Sequence, residues 1–323
     1  MALVLVVRSE ELGIGYEHDE GVAWVVEDLD LEVEHGVVTC LIGESGCGKS
    51  TIGNAISGLL PPYARTYGRL VVADRVVIDG DKMNFTGVRG KVVVRIAQDP
   101  ASALNPYLTI GEQLSTAIRT HFPGLSEHDV RSKALELLSD VMLGEDVYDR
   151  YPHQLSGGMK RRAAIALALA PEPEVIVADE PTSALDAYLK YAVASLLKKL
   201  QREWELTLVF ITHDVSIARY ICDQVVVVYA GRIVEEGASP RCLESPSHPY
   251  LELLLKALPK RFSKDRLADI PGMPPRPGMY PTGCKFHPRC PYVFERCRQE
   301  EPPIIKAGDR LVRCWRYYEQ SLT

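Results

Sequence analysis

The sequence predicts an α/β fold with a mostly helical subdomain and a small cysteine-rich C-terminal extension. Three stretches predict it. "VVTCLIGESGCGKST", residues 37–51, joins a short β-branched run to a glycine-rich loop and a helix. "EVIVADEP", residues 174–181, is an apolar strand that ends in two carboxylates. "GCKFHPRCPYVFERC", residues 283–297, together with "VRCW" beyond it, gathers four cysteines near the end of the chain.

The composition sets the frame. The 323 residues are 46% hydrophobic and 25% charged, ordinary for a globular protein with ample length for a core. A net charge of -6 argues against a basic nucleic-acid footprint, so no nucleic-acid partner is expected. No apolar run is long enough to span a bilayer. The N-terminal "ALVLVV" has no basic residue before it and reads as a first strand rather than a signal peptide. The expected location is therefore cytosolic, with any membrane role supplied by a partner. Among eight cysteines, Cys40, Cys47, Cys222 and Cys242 are scattered and read as packing residues, since disulfides are not expected in a reducing compartment.

The first stretch fits G-x-x-x-x-G-K-[ST] from Gly43 to Ser50. Its Gly43, Ser45, Gly46, Cys47 and Gly48 form a loop whose backbone N–H groups turn inward around a polyphosphate. The helix that follows, through Thr51, presents its positive N-terminus to the same anion. Lys49 is expected to reach the β- and γ-phosphates, and Ser50 to hold Mg²⁺. In the second stretch, Asp179 suits the Mg²⁺ water shell and Glu180 suits a general base for an attacking water. A buried strand ending in two adjacent acids calls for a cation nearby, because unpaired buried charge is costly.

A third motif, "LSGGMK" (residues 155–160), heads the helical "MKRRAAIALALA". Ser156, Gly157 and Gly158 offer a second set of phosphate donors at a helix N-terminus. One polyphosphate does not need two cradles from one chain. The geometry expected is a dimer, with this cradle closing on the partner's nucleotide.

At this point the chain resembles the ATP-binding-cassette ATPases, whose signature faces the other subunit's nucleotide. The resemblance covers about the first three quarters of the chain and carries further roles. Gln98 in "RIAQDPASALNP" matches the loop glutamine that senses γ-phosphate and metal. "SALD", ending at Asp186, matches the loop exchanged across the dimer. His213 in "LVFITHD" matches the switch histidine. Tyr16 in "GIGY" is the aromatic expected to stack on adenine, with Trp24 as its alternative. The implied catalytic set is Glu180, His213, Gln98 and Lys49, working on ATP with Mg²⁺ held by Ser50, Gln98 and Asp179. One departure is Arg161, where the family commonly has glutamine; it is expected on the helix surface, without loss of activity.

"QDPASALNPYLTIGEQL", "YPHQLSGGM" and "SPSHPYLELLLKALP" resemble the ATPases of oligopeptide, dipeptide and nickel importers, as does a cysteine-containing ending. The resemblance then runs almost end to end. It implies an ATPase coupled to transport, a translocase at the cytoplasmic face of the membrane. Its partners would be a second ATPase subunit (a heterodimer is expected, a homodimer is the alternative), two transmembrane permease subunits and an extracytoplasmic substrate-binding protein. Peptides are the default cargo; oligosaccharides or nickel are the alternatives. A soluble cassette machine is a rival class, but a second cassette and a long coiled coil are both absent from the sequence. A binding module with a dead cassette is disfavoured by the intact Glu180 and His213.

The four tail cysteines are spaced C-x5-C-x6-C-x16-C within a Pro- and Gly-rich segment that is too short to build its own core. A metal staple would supply stability. By resemblance, Cys284, Cys290, Cys297 and Cys314 would hold a [4Fe–4S] cluster. The thiolates alone suit a cluster or zinc, His287 leaves a Cys3His zinc site open, and disulfides or free thiols remain the alternative.

The organisation expected is a nucleotide-binding domain over 1–245 and the extension over 246–323. Within the first, residues 99–165 form the helical subdomain. There Ser126 and Asp129 suggest a capping box, and Val130, Ala134, Leu137, Leu138 and Val141 recur at helical spacing.

Overall fold

The computed structural model describes residues 4–258 and 270–320. The start of the expected first strand, the last residue of "SPSHPYLELLLKALP" and residues 259–269 and 321–323 of the extension lie outside the described residues. In chain order the strands are β1 (Leu5–His18), β2 (Gly21–Leu29), β3 (Glu32–Glu34), β4 (Val38–Ile42), β5 (Ala64–Val72), β6 (Arg75–Asp79), β7 (Lys82–Met83), β8 (Val93–Ile96), β9 (Val175–Asp179), β10 (Thr207–Thr212), β11 (Gln224–Tyr229), β12 (Arg232–Ala238), β13 (Ile305–Ala307) and β14 (Arg310–Val312). They make two sheets. The first is antiparallel, in the order β2-β1-β5-β6-β7 with β3 also on β1. The second runs β13-β14-β12-β11-β4-β10-β9-β8.

In the second sheet β8, β9, β10, β4 and β11 are parallel, and β12, β14 and β13 add on antiparallel. Parallel strands need cover on both faces, so they read as continuous apolar runs. All five residues of β4 and all five of β9 are buried. The two faces belong to two cores. Val38, Cys40 and Ile42 point towards the helical layer, and Leu41 points towards the antiparallel sheet. The helix α1 (Lys49–Ser57) follows the glycine-rich loop and buries Ile52, Ala55 and Ile56 in the second core.

The helical subdomain holds α2 (Ile110–His121), α3 (Glu127–Asp140) and the start of α4 (Gly157–Leu169), which runs past the expected boundary at 165. The apolar stripe of α3 is buried from Val130 to Val141. Ser126 caps α3 by accepting the Asp129 amide, and its hydroxyl also donates to the Asp129 carboxylate. The reciprocal capping box sits instead at Thr109 and Glu112, on α2.

Three further helices return the chain to the large sheet: α5 (Ala187–Glu203), α6 (Val215–Ile221) and α7 (Ser239–Glu244). The extension begins with α8 (Pro249–Lys256) and continues through short helices α9 (Glu295–Gln299) and α10 (Trp315–Gln320). Its hairpin is not separate from the core. β14 pairs with β12 (Glu235 with Val312, Glu236 with Leu311), so the large sheet crosses the expected boundary. No helix among the described residues is long and apolar enough to cross a membrane.

Two of the cysteines read as packing residues are otherwise. Cys40 of β4 and Cys222, just beyond α6, form a disulfide. The elements they sit on meet because Asp223 takes the Val38 amide and donates its own amide to the Val38 carbonyl. Cys47 and Cys242 are free and buried, as packing residues are.

Candidate nucleotide site

The site is a cavity of about 510 Å³ at the C-terminal ends of the parallel strands. Tyr16, Ala23 and Val25 of the antiparallel sheet line one side; Ser45, Gly46, Gly48, Lys49, Ser50 and Thr51 form the floor; Gln98 and Glu180 close the far side. The glycines are forced by geometry. A side chain at Gly43 would meet the Val228 carbonyl at 2.2 Å, and Gly48, which starts α1, has φ of 106°. The loop therefore keeps a glycine backbone close to the N-terminus of α1, a place that fits a polyphosphate. Lys49 is buried, with its ammonium on the carbonyls of Gly43 and Glu44 at 2.8 Å each. Cys47 lies below it, 3.6 Å from Nζ, and burial pushes its thiol pKa up.

Tyr16 lines the cavity and its hydroxyl donates to Thr51 Oγ1 at 3.2 Å. Trp24 packs edge-on against Tyr67 on the other face of β2, because neighbouring strand residues point to opposite sides. Ser50 Oγ donates to Asp179 Oδ1 at 3.1 Å, so two hard oxygen donors suited to Mg²⁺ sit side by side. Asp179 Oδ2 is taken by Arg95 of β8 at 2.5 Å. Sequence reasoning missed Arg95: one arginine in a strand has no spacing to betray it.

Glu180 stands at the end of β9 with a left-handed φ of 46°, which is strained for a non-glycine residue. Its amide is anchored on the Ile211 carbonyl. Its carboxylate lies between His213 Nδ1 at 3.0 Å and Gln98 Nε2 at 3.5 Å. Gln98, Glu180 and His213 therefore converge at the cavity mouth, as a water-orienting group requires.

Ser156, Gly157 and Gly158 are not in this cavity. Ser156 caps α4 by accepting the Met159 amide, and side chains built at both glycines meet nothing within 4 Å. The motif faces open space. Asp186 caps α5 by accepting the Leu189 amide. Arg161 departs from the surface position expected of it. It is half-buried, and its guanidinium donates to the carbonyl of Pro181, next to Glu180. Burial pulls its pKa down.

The tail cysteines are brought into one neighbourhood. Cys284 lies within electrostatic reach of the other three, and its amide donates to the Cys297 carbonyl at 2.9 Å. Burial pushes the Cys284 thiol up to about 12 and the Cys314 thiol up to about 11. Yet among the described residues no three His, Cys, Asp or Glu side chains are arranged to hold a metal ion. The expected [4Fe–4S] or zinc site is thus a set of neighbours here, without a closed ligand shell. His287 uses Nδ1 on the Cys284 carbonyl at 3.0 Å.

Comparison with known proteins follows this geometry. The family model for ABC transporters matches residues 26–183, and that for the C-terminal region of oligopeptide/dipeptide transporters matches residues 234–297. The chain is 37% identical over 312 residues to the dipeptide transport ATP-binding protein DppD of Escherichia coli K12, covering 94% of each. The chain belongs to the ABC transporter ATPases. The oligopeptide transport ATP-binding protein OppD of Salmonella typhimurium is 34% identical, over 98% of this chain and 96% of its own. Among solved structures, the dimeric ATP-binding cassette MJ0796 bound to ADP and Pi is similar with a TM-score of 0.63 and 31% identity, over 72% of this chain and 98% of that one. As an ABC ATPase, the chain couples ATP hydrolysis to transport.

Proposed function

We propose that this ABC ATPase powers the import of peptides through a membrane transporter, bound to the cytoplasmic face of its permease subunits. The observation that carries the reading is the likeness to DppD and OppD through both the cassette and the C-terminal region. Peptides are favoured over oligosaccharides and nickel because those relatives are named for dipeptide and oligopeptide transport.

In this reading ATP lies in the cavity with its base against Tyr16 and its phosphates in the Gly43–Ser50 loop. Lys49 leaves the Gly43 and Glu44 carbonyls to meet the β- and γ-phosphates. Ser50, Gln98 and Asp179 would hold Mg²⁺, which would supply positive charge beside the γ-phosphate. Glu180 orients and deprotonates the attacking water, and His213 fixes the Glu180 carboxylate. Ser156, Gly157 and Gly158 face open space in this chain because they close on the nucleotide of a second ATPase subunit, with the Asp186 loop exchanged between the two. Catalysis is mainly positioning and charge stabilisation. Closure of the two subunits drives two permease subunits towards the state that accepts peptide from an external binding protein, and hydrolysis resets them.

The test is co-expression with the candidate permease subunits, reconstitution in proteoliposomes with the binding protein, and measurement of ATP-dependent peptide uptake. Uptake of labelled peptide that Glu180→Gln abolishes supports the reading. Uptake of an oligosaccharide or Ni²⁺ instead would remove the peptide assignment.

For the extension we propose a [4Fe–4S] cluster on Cys284, Cys290, Cys297 and Cys314, with zinc as the second reading. Support comes from the four thiols sharing one neighbourhood. Oxygen-free purification with iron, sulfide and zinc analysis tests it. About four irons and four sulfides per chain is the expected result; one zinc, or no metal, would overturn it.

A further inference from the structure

The second residue of the phosphate loop, Glu44, has both its amide and its carboxylate held by the extension. Its backbone amide donates to the hydroxyl of Tyr250, in α8, at 2.7 Å. Its carboxylate takes both arms of Arg289: Nη1 to Oε2 at 2.6 Å and Nη2 to Oε1 at 2.9 Å. Arg289 lies in the short turn between Cys284 and Cys290 and is only 5% exposed. Its third donor, Nε, binds the Pro271 carbonyl at 2.8 Å, which fixes the plane of the guanidinium. Behind it, the rings of Tyr229, Tyr250 and Phe286 pack with centroids 4.6–5.4 Å apart, a rigid base for the fork. The same Glu44 presents its carbonyl to Lys49 Nζ. One residue thus joins the extension to the phosphate-binding lysine. The extension also reaches the cavity directly: Pro277 lines it, and Tyr280 Oη donates to the carbonyl of Val25 at 2.9 Å.

A surface ion pair would mean little here. This one is different because it is two-armed, its arginine is buried while Glu44 is only half-buried, and it is anchored on both sides. A glycine-rich loop has many conformations available, and only a few aim its amides at a phosphate. Holding Glu44 at side chain and amide removes that freedom before nucleotide arrives, so it acts on binding more than on the chemical step.

We propose that Arg289 is a positioning residue for the nucleotide: through its two-armed grip on Glu44 the C-terminal extension holds the phosphate loop in its binding shape. The inference rests on the phosphate-loop reading of residues 43–50.

The test compares the full-length protein with Arg289→Met, Arg289→Lys, Glu44→Gln and the double variant Arg289→Met/Glu44→Gln. The readouts are the Kd of a fluorescent ATP analogue, KM and kcat of hydrolysis, and Tm without nucleotide. Arg232→Met serves as the control for general loosening, since Arg232 ties Glu301 of the extension to Asp28 without touching the loop. Losing a charged hydrogen-bond pair predicts that Arg289→Met weakens ATP binding about tenfold, mainly in Kd and KM. Glu44→Gln should do the same, and the double variant should be no weaker than the weaker single one. Arg289→Lys, whose ammonium cannot make a fork, should recover Tm but not full affinity. Arg232→Met should lower Tm and leave Kd unchanged. Wild-type Kd in Arg289→Lys and Arg289→Met, or additive losses in the double variant, would overturn the proposal. If Arg289→Met does not fold, the comparison of Arg289→Lys with Glu44→Gln decides it. If Lys49→Ala binds ATP like the wild type, it is the phosphate-loop reading that fails.

Discussion

His213 Nδ1 lies 3.0 Å from Glu180 Oε1, at the end of a strand neighbouring the one that carries Glu180. The pairing of β9 with β10 sets this distance. Asp179 is opposite Ile211, so the residues after each strand end emerge together over the cavity. Glu180 in turn is held in a strained backbone conformation by its bond to Ile211. Such strain persists where the surroundings over-determine it. The expected outcome for Glu180→Gln is ATP binding close to wild type with turnover lowered by roughly a hundredfold or more. Near-normal hydrolysis would remove the general-base role.

Arg95 places a second cation beside the Mg²⁺ site proposed at Ser50 and Asp179. Its guanidinium holds Asp179 Oδ2 while Ser50 holds Oδ1. Arg95→Met frees one oxygen of a carboxylate that is only 3% exposed. Without Mg²⁺, stability should fall by about 1–3 kcal/mol, because a buried charge loses its partner. With Mg²⁺ the unshared carboxylate should bind the ion more tightly, so half-saturation of ATPase activity should come at several-fold lower Mg²⁺. Titrating activity with Mg²⁺ and melting with and without it checks both parts. An unchanged Mg²⁺ dependence would mean that Arg95 is only a structural neighbour.

Glu236 of β12 gives a pH signature. Burial, with Glu32 and Glu34 of β3 nearby, pushes its carboxyl up to about 7 from 4.5. The folded protein therefore holds this proton where the unfolded chain has lost it. The stability it contributes is complete below about pH 4.5 and is lost as pH rises through about 7. Glu236→Gln should raise stability at pH 8 by about 1 kcal/mol, after allowance for its partial exposure, and change nothing at pH 4.5. Tm measured against pH for both proteins tests this; parallel profiles would contradict it.

The Cys40–Cys222 disulfide predicts a thiol count. In denaturant without reductant, six of the eight cysteines should react with a thiol reagent, and all eight after reduction. Eight before reduction would contradict the pairing.

What could be read from the sequence was what strict spacing enforces. Gly43 to Ser50 must keep its order to turn amides inward, and a strand that ends in Asp179 and Glu180 needs neighbours to hold the charge. The stripe from Val130 to Val141 follows from helical geometry alone. What could not be read depended on residues far apart meeting. Arg289 and Glu44 are 245 positions apart, and neither belongs to a spacing pattern. The disulfide joins cysteines 182 apart that each read as a core residue. The β13–β14 hairpin is too short for periodicity to reveal that it extends the main sheet. The missed capping box at Thr109 and Glu112 is the exception, since its spacing was there to be seen.

The measurement that bears most directly on the central claim is equilibrium binding of ATP, with Mg²⁺ present, to the wild-type protein and to Lys49→Ala. Lys49 is buried at the loop, bound to the Gly43 and Glu44 carbonyls. Saturable ATP binding by the wild type, with affinity lost by at least tenfold in a Lys49→Ala protein of unchanged fold, is the predicted result. Equal affinity in the two proteins would contradict the phosphate loop as the nucleotide site, and with it the mechanism built on that site.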